Sequence, residues 1–215
     1  MTTVSVPQNS SNATQPGKRV LAIAGSLRTG SWNLRLLEAA VELAPAGMTI
    51  SVHHNLASIP LFDEDLEHAT DGGPDPVRRL RHAVASADGL LIATPEYNQS
   101  IPGVLKNTID WLSRATPDEV LAGKPIAIIG ATMGRWGTRL AQHALRQTLC
   151  ATESLVMPAP ALFIMDAAKL FDDAGRLSDI PTLKSLQAVL DSFANWIDLV
   201  APQASTSPAS NHAVV

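Results

Sequence analysis

Residues 18–33 read KRVLAIAGSLRTGSWN, and this stretch decides the fold. Two basic residues lead into the apolar run 20–24, which Gly25 closes. A run that is apolar at every position is typical of a strand buried on both faces, as in a parallel sheet covered by helices. Apolar residues then recur at helical spacing over 34–44. The stretch therefore predicts a buried strand, a polar loop and a helix.

The same alternation of short apolar runs and helical patterns continues along the chain. Further strands are predicted at 49–53, 90–93, 125–129 and 155–157. Helices are predicted around 77–84, 102–112, 136–149 and 183–200. Five strands alternating with helices indicate right-handed crossovers. The sequence thus predicts the α/β class, with a doubly wound, five-stranded parallel sheet and helices on both faces.

Composition excludes several classes of protein. The chain has 215 residues, and its 16 Lys and Arg against 20 Asp and Glu give a net charge of -4. Because nucleic-acid binding requires a basic face, we expect no nucleic-acid partner. The apolar runs are shorter than the ~20 residues of a membrane span, so we expect no membrane crossing. The single Cys150 allows no intramolecular disulfide, which favours a reducing compartment, the cytoplasm.

Both ends of the chain differ in composition from the middle. Residues 1–17 and 201–215 are rich in Ser, Pro, Ala and Asn, and the first segment lacks the apolar core of a signal peptide. We predict disordered tails at 1–17 and 201–215 and a single folded domain at 18–200.

Ligands of a doubly wound sheet bind beyond the carboxyl ends of the strands. Three loops there have unusual sequences, at 25–33, 94–100 and 131–137. The first loop precedes a helix N-terminus, which attracts anions, and it contains no acidic residue. Its side-chain donors are Ser26, Arg28, Thr29, Ser31 and Asn33. These features predict a site for a terminal phosphate, with a ligand-free Gly/Ser-rich connection as the alternative.

Two common phosphate motifs do not match this loop. Gly25 and Gly30 have the spacing of a P-loop, but Ser31 and Trp32 follow where that motif requires Lys and then Ser or Thr. The dinucleotide pattern G-x-G-x-x-G is also absent. The sequence therefore argues against triphosphate chemistry and against NAD held in the Rossmann manner.

The second loop contains the chain's one tyrosine, Tyr97, in the run Pro95-Glu96-Tyr97-Asn98. A flat ring with a polar tip suits packing beside an aromatic ligand. A plain turn explains this loop equally well when it is taken alone.

Together, three motifs resemble the NADPH-dependent FMN reductase family, close to its bacterial quinone and chromate reductases. They are GSLRxGSxN at 25–33, PEYN at 95–98 and PGxLKNxIDWLSR at 102–114. The resemblance covers about residues 19–200. It implies a flavodoxin-like fold, FMN as cofactor, NADPH or NADH as co-substrate, and a homodimer or homotetramer.

The resemblance also implies a role for each matching residue. The FMN phosphate would lie on Ser26, Arg28, Ser31 and Asn33, with Trp32 in the same loop. The ribityl chain and the isoalloxazine ring would lie along Pro95, Glu96, Tyr97 and Asn98. The other polar edge of the ring would meet Thr132, Met133 and Gly134.

The third loop departs from the family pattern. Relatives commonly have a Gly-Gly pair and an Arg two residues later, whereas this chain has Gly137-Thr138-Arg139-Leu140. The arginine comes one position early, and one residue is a rotation of about 100° on a helix. We therefore expect Arg139 to point elsewhere than its counterpart, which bears on substrate choice and tetramer contacts.

The function that the resemblance implies is transfer of hydride from NAD(P)H through FMN to quinones or similar acceptors, such as chromate, azo compounds or free flavin. Because the flavin carries the hydride, no catalytic side chain is predicted. An FMN-binding electron carrier or redox-sensing module without efficient NAD(P)H turnover is the alternative. Arg114, Arg135 and Arg139 are candidates for binding the 2′-phosphate that distinguishes NADPH from NADH.

Two further clusters favour ordinary structural roles. The acidic segment 63–65 is predicted to be a solvated surface loop and not a metal site. His53 and His54 are adjacent, so a strand would point them to opposite faces, and we favour a role other than ligand binding. No metal is predicted.

Overall fold

A parallel sheet forms the centre of the computed structural model, which describes residues 17–70, 72–115 and 117–204. The strands are β1 (Lys18–Ala24), β2 (Met48–His53), β3 (Gly89–Ala93), β4 (Pro125–Ala131), β5 (Leu155–Val156) and β6 (Leu162–Ile164). Their order is β2-β1-β3-β4-β5, with β6 also paired to β4, and all pairs are parallel. The order reverses between β1 and β3, the switch point at which such sheets bind ligands.

Helices cover both faces of this sheet. They are α1 (Trp32–Glu42), α2 (Glu64–Ala69), α3 (Asp75–Ser86), α4 (Gly103–Leu112), α5 (Arg139–Cys150) and α6 (Ile180–Ala204). Successive residues of β1 face opposite sides, so Ala22 packs in the core with α1 and α6, and Ile23 packs in the core with α3, α4 and α5. The predicted α/β architecture, with a parallel sheet and helices on both faces, is confirmed.

The fifth position of the sheet differs from the prediction. One strand at 155–157 was expected, but two short strands, β5 and β6, pair with successive parts of β4. Pro158 and Pro160 lie between them. Proline has no N–H to donate to a strand ladder, so a continuous strand cannot form there. The sheet therefore has six strands instead of five.

Two helix boundaries also correct the predictions. The acidic segment 63–65 is not a loop, because Asp63 accepts bonds from the N–H groups of Asp65 and Leu66 and begins α2. An aspartate at the N-cap followed by acidic residues favours a helix start. Helix α5 begins at Arg139 instead of 136, since Gly137 has a φ of +66°, outside the helical region.

The predicted domain limits meet the edges of the described residues. Residues 1–16 and 205–215 of the predicted tails lie outside them, so the disorder predicted there stays a prediction. Helix α6 continues to Ala204, past the predicted boundary at 200. Within the described ranges, no helix has the combination of length and hydropathy that a bilayer crossing requires.

Candidate functional site

The loop after β1 forms an ordered N-terminus for α1. The N–H of Gly25 donates to the carbonyl of Ala93 at 2.8 Å, which ties the loop to β3. Ser31 is buried and caps α1, since its Oγ accepts from the N–H of Leu34 at 3.3 Å. The first turn of a helix has N–H groups without intrahelical partners, and no acidic residue lies in the first turn of α1. The loop thus presents a fixed, electropositive helix end.

A cleft of about 170 Å³ opens beside this loop. Its ionisable lining residues in the described structure are Arg28, His53 and His54, and no carboxylate lines it. The rest of the lining is Ala24, Ser26, Leu27, Thr29, Leu34, Leu56 and Ala57. Whole-ligand pockets are typically about 300 Å³ or larger, so the cleft fits one compact anionic group and not an entire nucleotide. Hydroxyls, a guanidinium and imidazoles are the donors that a phosphate needs.

Sequence reasoning did not connect His53 and His54 to this cleft. Burial, and secondarily the charge of His54, lower the pKa of His53. Its Nε2 is buried and has no hydrogen-bond partner in the described structure. The predicted sheet order could have indicated this position, because β2 pairs with β1 in parallel and both strands end at the same edge of the sheet.

Asn33 joins the first loop to the third. Its side chain is buried, with Nδ2 donating to the carbonyl of Ala131 at 2.8 Å. The N–H of Ala131 in turn donates to Oδ1 at 2.9 Å. These bonds give Asn33 a positioning role at the end of β4, while the predicted bond from its amide to a phosphate stays a prediction.

The second loop is a tight turn. Tyr97 and Ser100 exchange two backbone hydrogen bonds, each 3.0 Å long. Asn98 and Gln99 between them have φ values of 49° and 63°, as a type I′ turn requires. Positive φ is uncommon for a glutamine, and such conformations cluster at functional sites. The turn leaves Tyr97 47% exposed at the carboxyl edge of the sheet.

Glu96 links the second loop to α5. Its Oε2 accepts from the N–H groups of Leu140 at 2.9 Å and Ala141 at 3.1 Å. Thr138, at the N-cap position, makes no capping bond with its own side chain. Glu96 therefore caps α5 from another loop, and its negative charge lies at the positive end of that helix. The prediction placed Glu96 along the flavin, whereas its carboxylate is engaged with α5.

The third loop presents exposed apolar side chains. Its backbone is fixed by the bond from the N–H of Gly134 to Oγ1 of Thr132, at 3.2 Å. Met133 and Trp136 are 53% and 63% exposed. The Arg135 guanidinium lies 4.9 Å from the centre of the Trp136 ring. Bonds from Gly25, Asn33 and Glu96 thus bring together the three loops that carry the predicted site residues.

The three arginines considered for a 2′-phosphate have different positions. Arg114 follows the C-terminus of α4, which runs back from the site edge, and it pairs with Glu67 at 2.8 Å and Glu64 at 3.4 Å. It therefore lies away from the three loops. Arg139 lies 4.8 Å from the ring centre of Phe163. Arg135 and Arg139 thus remain at the site edge.

Metal chemistry receives no support from the described part of the chain. No three His, Cys, Asp or Glu side chains come together there in a group that could hold an ion. The exposed Asp63, Glu64 and Asp65 begin a helix instead.

Comparison with known proteins identifies relatives of this chain. The model of the NADPH-dependent FMN reductase family matches residues 18–169. An NAD(P)H-dependent FMN reductase of Pseudomonas aeruginosa is 44% identical over 83% of this chain and 95% of its own length. A quinone reductase of Pseudomonas putida is 38% identical over 84% of this chain and 95% of its own length. A 2-hydroxy-1,4-benzoquinone reductase of Burkholderia sp. is 37% identical over 83% of this chain and 96% of its own length.

A solved structure has the same fold. The flavoenzyme NAD(P)H:(acceptor) oxidoreductase FerB from Paracoccus denitrificans superposes with a TM-score of 0.77 at 34% identity. The superposition covers 85% of this chain and 98% of that protein.

Proposed function

Since this chain belongs to the NADPH-dependent FMN reductase family, we propose that it is an FMN-dependent oxidoreductase that uses NAD(P)H to reduce quinones or similar small acceptors. The observation that carries this proposal is the cleft beside the β1–α1 loop, which Arg28 lines and no described carboxylate lines, together with the hydrogen bonds that join this loop to the ends of β3 and β4. A phosphate-sized site near an exposed aromatic ring is what a flavin mononucleotide requires.

The first loop holds the phosphate in this proposal. Arg28 supplies charge and paired N–H donors, while Ser26 and Thr29 add hydroxyls. The N-terminus of α1, kept in place by the Ser31 cap, adds backbone donors and a favourable dipole. Asn33 acts indirectly, because it fixes this loop against β4.

The second and third loops form the walls beside the ring. FMN, when bound, would accept the hydride from NAD(P)H and pass electrons to the acceptor, so these walls need only to orient the FMN and to exclude water. Glu96 holds the two loops together through α5. Tyr97, Met133 and Trp136 offer apolar surface to a flat ligand. We assign no side chain a nucleophilic or acid–base role.

The names of the relatives point to quinones as acceptors. Two of the relatives described above are named for quinone reduction, and flat apolar acceptors suit the exposed Met133 and Trp136. Chromate, azo compounds and free flavin are further acceptors that an open flavin site admits.

Flavin loading followed by turnover tests the proposal. We expect the full chain to bind FMN, to turn yellow, and to oxidise NADPH or NADH steadily when a benzoquinone is present. Protein that stays colourless after incubation with FMN would refute it. Protein that binds FMN but consumes little NAD(P)H would instead be an electron carrier or a redox sensor.

A pair of variants tests the phosphate assignment. Arg28→Ala removes a cation from the cleft, whereas Tyr97→Phe removes only a hydroxyl at the ring side. We expect Arg28→Ala to weaken FMN retention more than Tyr97→Phe. Equal retention by the two variants contradicts the assignment of the phosphate to the first loop.

We also propose that the protein is a homodimer or homotetramer in the cytoplasm. Leu27, Tyr97, Met133 and Trp136 leave exposed apolar surface near the site, which a second copy could cover. Light scattering coupled to size exclusion measures the assembly, and a monomeric mass contradicts it. Cell fractionation tests the location.

A further inference from the structure

Two histidines at the end of β2 have no role in the function proposed above. His53 is the last residue of β2 and His54 follows it, and both line the phosphate cleft with Ser26 and Arg28. Nε2 of His53 is buried without a hydrogen-bond partner in the described structure. Buried polar atoms are nearly always bonded, so this nitrogen is available to bond an anion in the cleft.

The ionisable groups that line the cleft in the described structure are all basic. The β1–α1 loop brings Arg28, whereas α1 contributes only Leu34 to the lining, and the segment after β2 contributes Leu56 and Ala57. No carboxylate of the described lining competes for a proton. Burial lowers the pKa of His53, so its ring is neutral near pH 7 when the cleft holds no anion. A dianion beside the ring reverses this balance, because it favours the protonated form.

We propose that His53 forms a titratable wall of the phosphate cleft beside His54, and that binding of the FMN phosphate draws a proton onto the His53 ring. The inference rests on the proposed function, because it takes FMN as the ligand. By linkage, the affinity for FMN is highest at mildly acidic pH and falls as the pH rises through neutrality. Arg28 supplies the part of the attraction that does not depend on pH, and His53 supplies the part that does.

Calorimetry of FMN binding measures the proton directly. FMN is titrated into the flavin-free full chain at about pH 7.5, in buffers that differ in ionisation enthalpy. The second pKa of a phosphate monoester is about 6, so the ligand has already lost that proton and any uptake belongs to the protein. We expect uptake of roughly half a proton by the natural chain and almost none by the double variant His53→Gln/His54→Gln.

The dissociation constant gives an independent readout. If the bound anion raises the affinity of His53 for a proton by about two pKa units, FMN binding weakens about tenfold between pH 6.5 and 8.5. The double variant should stay within about twofold over that range. Riboflavin, which lacks the phosphate, should bind with the same pH dependence to both proteins.

Controls separate the possible failures. His143→Gln changes an exposed histidine on α5 and should leave proton uptake unchanged. If the double variant does not fold, His53→Asn alone carries the test, because its amide cannot take up a proton and loss of the uptake is still expected. FMN binding without proton uptake, or with the same pH dependence in the variants, overturns this inference and leaves the proposed function standing. A natural chain that binds no FMN at any pH refutes the proposed function itself.

Discussion

Removing the Glu96 carboxylate should destabilise the protein through a helix to which Glu96 does not belong. The carboxylate accepts from the N–H groups of Leu140 and Ala141 in the first turn of α5. Loss of a helix cap costs about 0.5–2 kcal/mol, and the charge at the helix end contributes about 0.3–1 kcal/mol of such an interaction. Glu96→Ala loses both parts, whereas Glu96→Gln keeps an acceptor oxygen and loses only the charge. We therefore expect losses of about 1–2 kcal/mol and up to about 1 kcal/mol, respectively.

Thermal unfolding of the flavin-free protein measures this difference. In a domain of this size, 1 kcal/mol shifts the Tm by about 2–4 °C, so Glu96→Ala should lower the Tm by about 2–8 °C and Glu96→Gln by at most about 4 °C. Glu38→Ala, an exposed glutamate on α1, is the matched control and should stay within about 0.5 kcal/mol of the natural chain. If Glu96→Ala is no less stable than Glu38→Ala, the cap does not exist in solution and Glu96 is free to contact the flavin.

Three further perturbations test the links around the site. Asn33→Ala leaves the buried N–H and C=O of Ala131 without partners. In urea titrations, the free energy of unfolding of the flavin-free protein should therefore fall by about 2–5 kcal/mol. An unchanged value would mean that Asn33 does not position the loop and acts only as a phosphate ligand. Gly130→Ala places a methyl group in a severe clash with the backbone carbonyl of Thr94, which cannot move aside without disturbing the sheet. We therefore expect insoluble or strongly destabilised protein, measured by soluble expression and circular dichroism. Because the pKa of His53 is lowered in the folded protein, the unfolded chain binds more protons below about pH 6.5. The free energy of unfolding of the flavin-free protein should therefore fall as the pH drops from 7 towards 5. His53→Gln should reduce this dependence on pH, and an identical dependence in the two proteins contradicts the assignment.

Local patterns in the sequence were sufficient for the fold, and they singled out three loops that the structure brings together, while the ligand-binding role of those loops stays a prediction. The apolar run at 20–24 and the similar apolar runs further along the chain predicted the parallel sheet, because a strand that is apolar at every position needs cover on both faces. The sheet then fixes which loops meet, since parallel strands end at one edge. The errors came where a short-range feature changed the local structure, as with the prolines between β5 and β6 and the Asp63 cap of α2.

The roles of individual site residues were harder to predict, because they depend on contacts between distant parts of the chain. Asn33 bonds to a residue 98 positions away, and Glu96 bonds to residues 44 and 45 positions away. No periodicity or spacing reports such a contact. Both side chains belong to motifs that predict ligand binding, and both also hold the loops in place, so their contact with a ligand stays a prediction. His53, for which the sequence favoured a role other than ligand binding, lies in the wall of the cleft.

The departure of the third loop from the family pattern has a local structural explanation. Thr138 is buried, and its Oγ1 accepts from Nε2 of Gln142 at 2.9 Å. Nε2 of Gln142 also donates to the carbonyl of Leu162 at 2.8 Å, so the threonine belongs to a bridge between α5 and β6. Arg139 stacks on Phe163 of the same strand. Both altered residues therefore contact β6 and not the phosphate cleft, which is lined from β1 and β2. Arg139→Gln should therefore leave the affinity for FMN unchanged. The same variant should change the affinity for a co-substrate or acceptor that approaches over the third loop.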